Sequence, residues 1–350
     1  MHAKGVVLRD AVPGSDIKTK RQQVCRAGEF LVAEIDAKMG GFGIVPEALE
    51  GAVVSSHYFL FAIDGAQLDR RFLDYFIRTT GFRNQVDAQG STNYAAIRPA
   101  SVAGYQMPLP PLPEQQAIVS RLDTLADKAR QVNEHLDAIE RDADRLLAVR
   151  FRDAIADAPL RPMAEVAPLV RREIRIDPQA NYTELGIRSF FKGTFQRRTM
   201  EGADYSWQKL FSVKASDLIF SNIMAWEQAI AIAKPDDEGC VGNHRMLTCE
   251  VNTNTAAASF LYYYFTTSEG FAKIGAASPG TAARNKTLKA PDLMEIEVPV
   301  PGLSTQRIFD ILQAKVAELK ARHATIRQAN DALIPATLER VFSTEVSAHA

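Results

Sequence analysis

The stretch Met107-Pro-Leu-Pro-Pro-Leu-Pro-Glu-Gln-Gln-Ala-Ile-Val-Ser-Arg-Leu122 joins two different kinds of sequence. Before it, residues 1–112 contain short runs of β-branched and aromatic residues broken by Gly and Pro, with one amphipathic helical run at 69–78. These features predict a mixed α/β module. The prolines in the stretch stop regular structure and form a stiff hinge. After the hinge, the sequence predicts one long helix over residues 113–158.

Apolar residues in this predicted helix recur in steps of three and four, which is the heptad pattern of a helix-pair seam. Charged residues fill most of the other positions. The seam residues are Ile118, Leu122, Leu125, Val132, Leu136 and Ile139. At 1.5 Å per residue, a helix that continues to Phe151 would extend on the order of 55 Å. We therefore expect a stiff rod to follow the first module.

The same arrangement occurs a second time in the chain. Residues 4–122 align with residues 192–312, and Lys4-Gly5 falls on Lys192-Gly193. The repeat predicts a second module over residues 159–302, a second proline hinge, a second long helix over 303–342 and a frayed tail at 343–350. The second seam consists of Leu312, Val316, Leu319, Ile326 and Leu333.

Two long helices that each carry one apolar seam most simply bury these seams against each other. Because the second module reverses the path of the chain, the helix pair should be antiparallel. The predicted fold class is α/β (mixed α+β), with two similar modules separated by a long antiparallel two-helix coiled coil and related by a pseudo-two-fold internal repeat. Two alternatives stay open: each helix seeks a partner chain, or each packs back on its own module.

The composition is that of an ordinary soluble protein. Hydrophobic residues make up 46% of the chain and charged residues 24%, and the net charge is −1. Any interface with nucleic acid must therefore rest on local clusters of charge. The start of the chain lacks the apolar run of a signal peptide, and the three cysteines have no paired spacing. We predict a cytoplasmic protein with no membrane association.

Signatures of catalysis are weak. The sequence has no P-loop and no histidine pair with the spacing of a zinc site. Asp36-Ala37-Lys38 resembles the end of a metal-dependent nuclease motif, but the second copy has Met224-Ala225-Trp226 at the equivalent place. We therefore predict no catalytic residue, no metal site and no cofactor bound by this chain.

Local basic clusters are the strongest candidates for contact with DNA. Cationic side chains on one face would bind phosphates, while Asn and Arg suit bidentate contacts with adenine and guanine edges. A solvated basic loop explains the cluster at 188–198 equally well. The candidate residues are Lys18, Lys20, Arg21, Asn93, Tyr94, Arg98, Arg171, Arg172, Lys192, Arg197, Arg198, Arg284, Asn285, Lys286 and Lys289.

The stretch at 107–122 resembles the specificity subunit of type I restriction-modification systems. In that family a proline-rich exit from the target recognition domain enters a long helix through Leu-Pro-Pro-Leu-x-Glu-Gln-x-x-Ile. The matching residues are Pro110, Pro111, Leu112, Glu114, Gln115 and Ile118. The second exit keeps Pro301, Leu303, Gln306 and Ile308, with Thr305 in place of Glu.

The resemblance implies a non-catalytic DNA sequence-specificity subunit in a defence system against foreign DNA. Two target recognition domains would each read one half of a bipartite site on double-stranded DNA, with the helices as a ruler. The implied partners are two methyltransferase (modification) subunits and restriction/translocase subunits. Those partners would use S-adenosylmethionine, ATP and Mg.

One departure from the family concerns the first module. The second copy has about thirty residues, 161–191, before the shared Lys-Gly step, whereas the first copy begins almost on that step. We therefore expect the first target recognition domain to be shortened at its N-terminus, unless the reading frame begins upstream. The competing hypothesis is a coiled-coil assembly scaffold, or an inactive truncated specificity subunit, that binds partner subunits without reading DNA.

Overall fold

The structure is a computed structural model that describes residues 5–17, 21–86, 96–205, 209–280 and 286–348, with side chains described as far as residue 343. The chain divides into two compact units. Unit 1 consists of Met1–Ile139 and Ala321–Ala350, and unit 2 of Glu140–Lys320. Each unit therefore contains one module together with a stretch of both long helices.

In unit 1, a three-stranded antiparallel sheet in the order β3-β2-β5 lies beside a two-stranded pair, β1-β4. The chain then leaves through the proline hinge into the first long helix. The elements are β1 (Gln22–Val24), β2 (Phe30–Ala33), β3 (Phe42–Ile44), β4 (Val53–Ser55), β5 (Tyr58–Phe61), α1 (Arg70–Phe76), α2 (Thr80–Arg83), α3 (Pro99–Ala103) and α4 (Leu112–Ile155).

Unit 2 contains three sheets, in the orders β12-β11-β14-β7, β10-β13-β8-β9 and β15-β6. The elements are β6 (Leu160–Pro162), α5 (Met163–Val166), β7 (Leu169–Val170), β8 (Asn181–Ile187), β9 (Thr194–Glu201), β10 (Phe211–Ser212), β11 (Leu218–Ser221), β12 (Ile230–Ile232), β13 (Val241–Gly242), β14 (Met246–Cys249), α6 (Ala258–Thr266), α7 (Ser268–Ala276), α8 (Ala290–Glu295), β15 (Glu297–Pro299) and α9 (Leu303–Ala348).

The sequence repeat is also a structural repeat. β2 lies between β3 and β5 in unit 1, as β11 lies between β12 and β14 in unit 2. The turn before each of these central strands has a residue with positive φ, Gly28 at 84° and Ser216 at 69°. In each unit a glutamate accepts the N–H before that residue, Glu50 in one and Glu238 in the other. The prediction of two similar mixed α/β modules is confirmed.

A buried glutamine fixes the first long helix to its module. Gln115 lies in the first turn of α4 and is fully buried. Its Oε1 accepts the backbone N–H of Asp69 at 2.8 Å, where α1 begins. Its Nε2 donates to the carbonyl oxygens of Gln67 and Pro110, both at 2.8 Å. One side chain thus satisfies backbone groups of both the module and the proline hinge.

Gln306 makes the same connection at the start of α9, and it too is fully buried. Its Oε1 accepts the backbone N–H of Ala257 at 2.8 Å. Its Nε2 donates to the carbonyl oxygens of Thr255 and Pro301, at 3.0 and 2.7 Å. The glutamine that the two exit motifs share therefore holds each helix against its own module.

The long helices run antiparallel to each other within each unit. In unit 1, Asn330 Nδ2 donates to the carbonyl oxygen of Ala129 at 2.8 Å, and Arg327 pairs with Asp137 at 2.7 Å. In unit 2, Lys320 pairs with Asp144 at 2.6 Å, and the rings of Phe309 and Phe151 lie 5.2 Å apart. Higher residue numbers on α9 meet lower numbers on α4 throughout, which confirms the antiparallel prediction.

Each helix also packs against a module core, so packing on the modules occurs together with the intramolecular helix pair. Ile118 and Leu122 of α4 lie in the core of unit 1 with Phe72 of α1. The far end of α9 reaches the same core, where Phe342 lies 5.1 Å from Phe72, between ring centroids. In unit 2, Val316 is buried in the core and Leu312 packs against that core. Two other predicted seam residues, Leu319 in unit 2 and Leu125 in unit 1, are half-buried.

Four of the predicted seam residues are not in the helix interface. Val132 and Ile139 on α4 are 38% and 47% exposed, and Ile326 and Leu333 on α9 are 45% and 40% exposed. The seam prediction is wrong at these positions, whereas Leu136 is 7% exposed. At two of these positions the following residues meet across the pair, where the Arg327 guanidinium donates to the carbonyl oxygen of Asn133 at 3.4 Å.

Two helix bounds differ from the sequence prediction. α4 begins at Leu112 and ends at Ile155, and α9 continues to Ala348. The segment predicted to be a frayed tail is therefore helical over most of its length. Among the helices that the structure describes, none is long and apolar enough to cross a membrane.

Replacing Gln115 tests its role in stability. Gln115→Leu leaves one buried N–H and two buried carbonyl groups without partners, so we expect the free energy of unfolding to fall by about 3 kcal/mol. Gln116→Leu, at the exposed neighbouring position, is the matched control and should change it by less than about 0.5 kcal/mol. Urea unfolding followed by far-ultraviolet circular dichroism measures both values. Equal stability of the two variants would contradict this role.

Candidate nucleic-acid interface

The candidate interface in unit 2 is built on a β-hairpin of β8 and β9. These strands pair antiparallel from Asn181↔Glu201 to Ile187↔Thr194, with an irregularity between Thr183 and Leu185. The other edge of β8 runs parallel to β13, where Glu184 pairs with Val241. Leu185 is buried in a small apolar cluster and Ile187 packs against it. The hairpin is therefore anchored by apolar side chains and presents polar ones to solvent.

The loop of this hairpin is strained and exposes an aromatic ring. Phe190 and Phe191 have φ values of 61° and 54°, a left-handed conformation that costs L-residues roughly 1–2 kcal/mol each. Their backbone N–H groups donate to the carbonyl oxygens of Glu227 and Gln228, at 2.9 and 3.0 Å. The Phe190 side chain is nevertheless 64% exposed. Strain held in place around an exposed ring is typical of a binding surface.

Lysine side chains lie over the aromatic rings at this loop. The Lys192 ammonium group is 5.7 Å from the ring centroid of Phe190. The Lys286 ammonium group is 5.4 Å from the ring centroid of Trp226. Trp226 precedes Glu227, whose carbonyl oxygen accepts the backbone N–H of Phe190. We call Phe190, Lys192, Trp226 and Lys286 the aromatic–basic cluster. Cations combined with aromatic faces suit the phosphates and bases of nucleic acid.

A groove of about 380 Å³ lies between the hairpin and the turn that joins β13 to β14. Exposed Arg197, Asn243 and Arg245 are among its lining residues, together with Glu184 and Ile223. Asn243 Oδ1 accepts the backbone N–H of Arg245 at 2.9 Å, which fixes this turn. The groove thus combines amide and guanidinium donors with carboxylate and amide acceptors, as needed to read base edges.

The two adjacent arginines of β9 have different surroundings. Successive strand residues point to opposite faces of a sheet. Arg198 pairs with Glu184 at 3.3 Å, whereas the guanidinium of Arg197 has no ion pair among the described residues. Among the described residues, Arg197 therefore has no ion-pair partner, whereas the charge of Arg198 is offset by Glu184.

Arg172 has a structural position rather than a free surface position. Its guanidinium bonds both carboxylate oxygens of Asp217, at 2.6 and 3.0 Å, and pairs with Glu250 at 3.1 Å. Asp217 is 3% exposed. The hydrogen bond to Asp217 is the largest cause of a raised pKa for Arg172. We therefore remove Arg172 from the set proposed to contact DNA.

Arg171 is also engaged within the unit. Its guanidinium donates to the carbonyl oxygens of Met246 at 2.9 Å and His244 at 3.3 Å. It also lies over the ring of Phe211, 5.0 Å from the centroid. These contacts hold the start of β14 against the rest of the unit. Arg171 thus supports the turn that carries Arg245.

The remaining predicted residues are spread over both units. In unit 1, Arg21 and Arg98 are exposed, before β1 and before α3. Lys289 is exposed at the start of α8 in unit 2. The candidates that lie outside the described residues are Lys18, Lys20, Asn93, Tyr94, Arg284 and Asn285.

Sequence analysis missed three residues of this site: Trp226, Asn243 and Arg245. The polar turn at 242–245 was a usable signal, because an exposed Asn-His-Arg run between two short strands offers three side chains for contact. The strain at Phe190 has no signature in the sequence. Its backbone conformation depends on carbonyl groups of residues 227 and 228, which belong to another turn.

The titratable groups of unit 2 with strongly perturbed pKa values are not suited to acid–base chemistry near neutral pH. Burial is the largest cause in each case, and it raises the pKa of Tyr205 and of Cys249 to about 12. Both groups remain protonated and neutral at pH 7. Among the residues that the structure describes, no three His, Cys, Asp or Glu side chains are grouped so as to hold a metal ion.

Replacing Arg172 tests its structural position. Arg172→Ala leaves the carboxylate of Asp217 buried without its cation, so the free energy of unfolding should fall by about 3 kcal/mol. Arg175→Ala, at a nearby exposed position, is the matched control and should be nearly neutral. Urea unfolding followed by the fluorescence of Trp226, in the same unit, measures both. A loss of DNA affinity in Arg172→Ala without loss of stability would contradict this assignment.

Comparison with known proteins agrees with this arrangement. The model of a family described as "Type I restriction modification DNA specificity domain" matches residues 13–141. No curated protein matches the chain. The HsdS subunit from Thermoanaerobacter tengcongensis has a similar structure, with 20% sequence identity and a TM-score of 0.60 over 97% of this chain and 86% of that one.

A second similar structure comes from a type I R-M system described in terms of complex assembly and conformational transition. It has 20% sequence identity and a TM-score of 0.67, over 93% of this chain and 84% of that one. At this level of identity, the structural likeness establishes the fold. Residues 13–141 therefore match the model of a type I restriction modification DNA specificity domain, and the chain has a fold similar to that of the HsdS subunit.

Proposed function

We propose that this chain is the DNA sequence-specificity subunit of a type I restriction-modification system. The observation that carries the proposal is the surface of unit 2, where the aromatic–basic cluster lies on the hairpin that also forms the groove with Arg197 and Arg245. The chain binds double-stranded DNA and is not itself the enzyme. Methylation, translocation and cleavage belong to partner subunits, which use S-adenosylmethionine, ATP and Mg.

The surface divides into two parts by chemistry. Lys192 and Lys286, held over aromatic rings, and Arg197, at the edge of the groove, suit phosphate oxygens, which position a protein on DNA without reading its sequence. Asn243 and Arg245 of the groove suit base edges, since Arg pairs with guanine and Asn with adenine. Each unit would read one half of a bipartite target, and the differing side chains at matching positions give the halves different sequences.

Because the chain has almost no net charge, its attraction to DNA must come from local clusters of cations. With a net charge of −1, the protein as a whole does not attract DNA. Binding then depends on the few cations that release counterions from the phosphates. The salt dependence of affinity should be shallow for this reason, and single substitutions should change it measurably.

The exposed apolar residues of the helix pair in unit 1 form a surface for a partner subunit. Val132 and Ile139 are seven residues apart on α4, and Ile326 and Leu333 are seven apart on α9. Residues at this spacing lie on one flank of a helix. Two antiparallel helices that contact each other through corresponding faces are related by a two-fold axis. This axis places the corresponding flanks of the two helices on the same side of the pair. The four side chains therefore form one stripe, which we name the apolar stripe.

We assign the apolar stripe to a methyltransferase subunit. Four large aliphatic side chains in a row are too many for an ordinary solvated helix face, and the charged residues around them provide a polar rim. The stripe also accounts for the heptad pattern in the sequence. Some apolar residues of this pattern pack between α4 and α9, and the four residues of the apolar stripe would contact the methyltransferase subunit.

Replacing Arg197 tests the DNA-binding surface. For a duplex of random sequence, Arg197→Ala should lower the slope of log affinity against log salt by about 0.9, the value for one lost phosphate contact. Arg198→Ala is the matched control on the same strand, and its effect should be smaller because Glu184 already offsets its charge. Fluorescence anisotropy of a labelled duplex at several salt concentrations measures both slopes.

The same experiment separates the proposed function from the scaffold alternative. A scaffold that binds only partner subunits has no reason to depend on Arg197. If Arg197→Ala and the combined replacement of Arg197, Arg245 and Lys192 leave DNA affinity and its salt slope unchanged, DNA reading by this surface is wrong. In that case the scaffold hypothesis is favoured.

Charge placed in the apolar stripe tests the partner surface. The Ile326→Asp variant should bind the methyltransferase subunit of the same system at least about tenfold more weakly, because a carboxylate would be buried in an apolar contact. Gln328→Asp, exposed on the opposite side of α9, is the control and should bind normally. Isothermal titration calorimetry with the purified subunit gives both affinities. Normal binding by Ile326→Asp would refute the assignment.

A further inference from the structure

Phe190 is the one exposed aromatic residue among those that the structure describes. Its side chain is 64% exposed, whereas every other described Phe, Tyr or Trp is buried or half-buried. An aromatic ring is stabilised by burial, so a single ring left in water at the end of a hairpin requires a reason. The way in which the loop is built supplies that reason.

The loop that carries Phe190 is held at several points. The backbone N–H of Arg188 donates to the carbonyl oxygen of Gly193 at 2.9 Å, which closes the loop. The N–H groups of Phe190 and Phe191 donate to the turn at 227–228. The Phe191 carbonyl oxygen accepts the hydroxyl group of Tyr262 at 3.2 Å, and the two rings pack edge to face. One phenylalanine thus anchors the loop, while the ring of its neighbour lies in solvent.

Backbone strain is concentrated at the same place. Four non-glycine residues in the described part of the chain have positive φ, and three of them are Phe190, Phe191 and Gln228. Gln228 is the counterpart of Gly40 in the first module, where the same turn has the residue that this conformation favours. Because a residue with a side chain has less backbone freedom than glycine, the turn that holds Phe190 is stiffer in unit 2.

The exposed ring has cations beside it but no polar atom of its own. The Lys192 ammonium group lies 5.7 Å from its centroid, and Lys286 belongs to the same aromatic–basic cluster. Phosphates flank every base-pair step of a duplex, so cations beside a ring suit both parts of such a step. A phenyl ring cannot form the hydrogen bonds that identify base edges. It can instead replace the stacking between bases.

We propose that Phe190 is a wedge that enters one base-pair step in the half-site bound by unit 2 and separates the two stacked pairs. The ring stacks on the separated bases, and Lys192 binds a phosphate beside the opened step. The inference rests on the proposed function, because the wedge belongs to the surface assigned to DNA. It adds a specificity-determining residue that acts through the deformability of DNA.

The wedge predicts which kind of step occupies this place. Pyrimidine–purine steps, TA and CA/TG, are the easiest to unstack. A step of this kind should therefore be favoured at one fixed position of the half-site. An exposed phenyl ring could otherwise contact the methyl group of thymine. That contact does not push against stacked bases and needs no stiff backbone, so the strained and anchored loop favours the wedge.

Selection from a library of random duplexes locates the step. The full-length protein should enrich a half-site with a TA, CA or TG step. Phe190→Ala should lose the preference at this step and keep those at other positions, which depend on Asn243 and Arg245. Ile308→Ala, which removes another exposed apolar side chain in unit 2, is the matched control and should select the same sequence as the unchanged protein.

The selected duplex then reports on the wedge directly. 2-Aminopurine at the purine of this step should fluoresce more strongly on binding, because the base loses a stacked neighbour. No partner subunit is added, so no other protein moves a base. Phe190→Ala should abolish this increase and weaken binding about tenfold, as expected for one stacked aromatic side chain. Phe190→Trp keeps an aromatic ring and should restore both.

A duplex with deoxyuridine in place of thymine tests the methyl contact. This change removes only methyl groups, so the wedge predicts unchanged affinity. Weaker binding to this duplex, without a rise in 2-aminopurine fluorescence on the original one, would show a methyl contact and overturn the wedge.

The outcomes keep the wedge separate from the proposed function. If the unchanged protein enriches no sequence, DNA reading by this chain is wrong and the wedge is wrong with it. If it enriches a sequence that Phe190→Ala selects equally well, the proposed function stands and the wedge is overturned.

Discussion

The buried glutamine at the start of each long helix is the contact on which the arrangement of this protein depends. The proline hinge leaves a carbonyl group without a partner, and the module loop presents both a free N–H and a free carbonyl. Only an amide side chain can accept one hydrogen bond and donate two at once. Gln115 and Gln306 therefore fix where each helix leaves its module, while glutamate or leucine at these positions could not.

The repeat preserves this scaffold and changes the surface. The central strands, the positive-φ turn and its capping glutamate recur with the same spacing, because each satisfies backbone groups that must be paired in a buried position. At the exposed turns the residues differ. His57 bonds Glu34 in unit 1, whereas the equivalent Arg245 in unit 2 faces the groove. The proposed reading of two sequences on one scaffold would require this division.

The sequence was sufficient for the two similar modules, the two long helices and their antiparallel pairing, because these depend on local composition and on period. The sequence was insufficient to predict how each long helix is rotated about its own axis. A heptad repeat gives the spacing of a seam but not its direction, which Asn330 and Arg327 determine by bonding across the pair. It also could not separate Arg172 from Arg197. The buried partner of Arg172, Asp217, lies 45 residues away in the chain.

The attachment of the β8–β9 hairpin explains how variation at its surface is tolerated. β8 joins the sheet beside β13 and contributes few buried side chains, chiefly Leu185 and Ile187. The other members of this cluster, including Val213 and Ile219, lie outside the hairpin. Residues on the hairpin can therefore change at little cost to the stability of the unit, as the proposed reading of different DNA sequences would require.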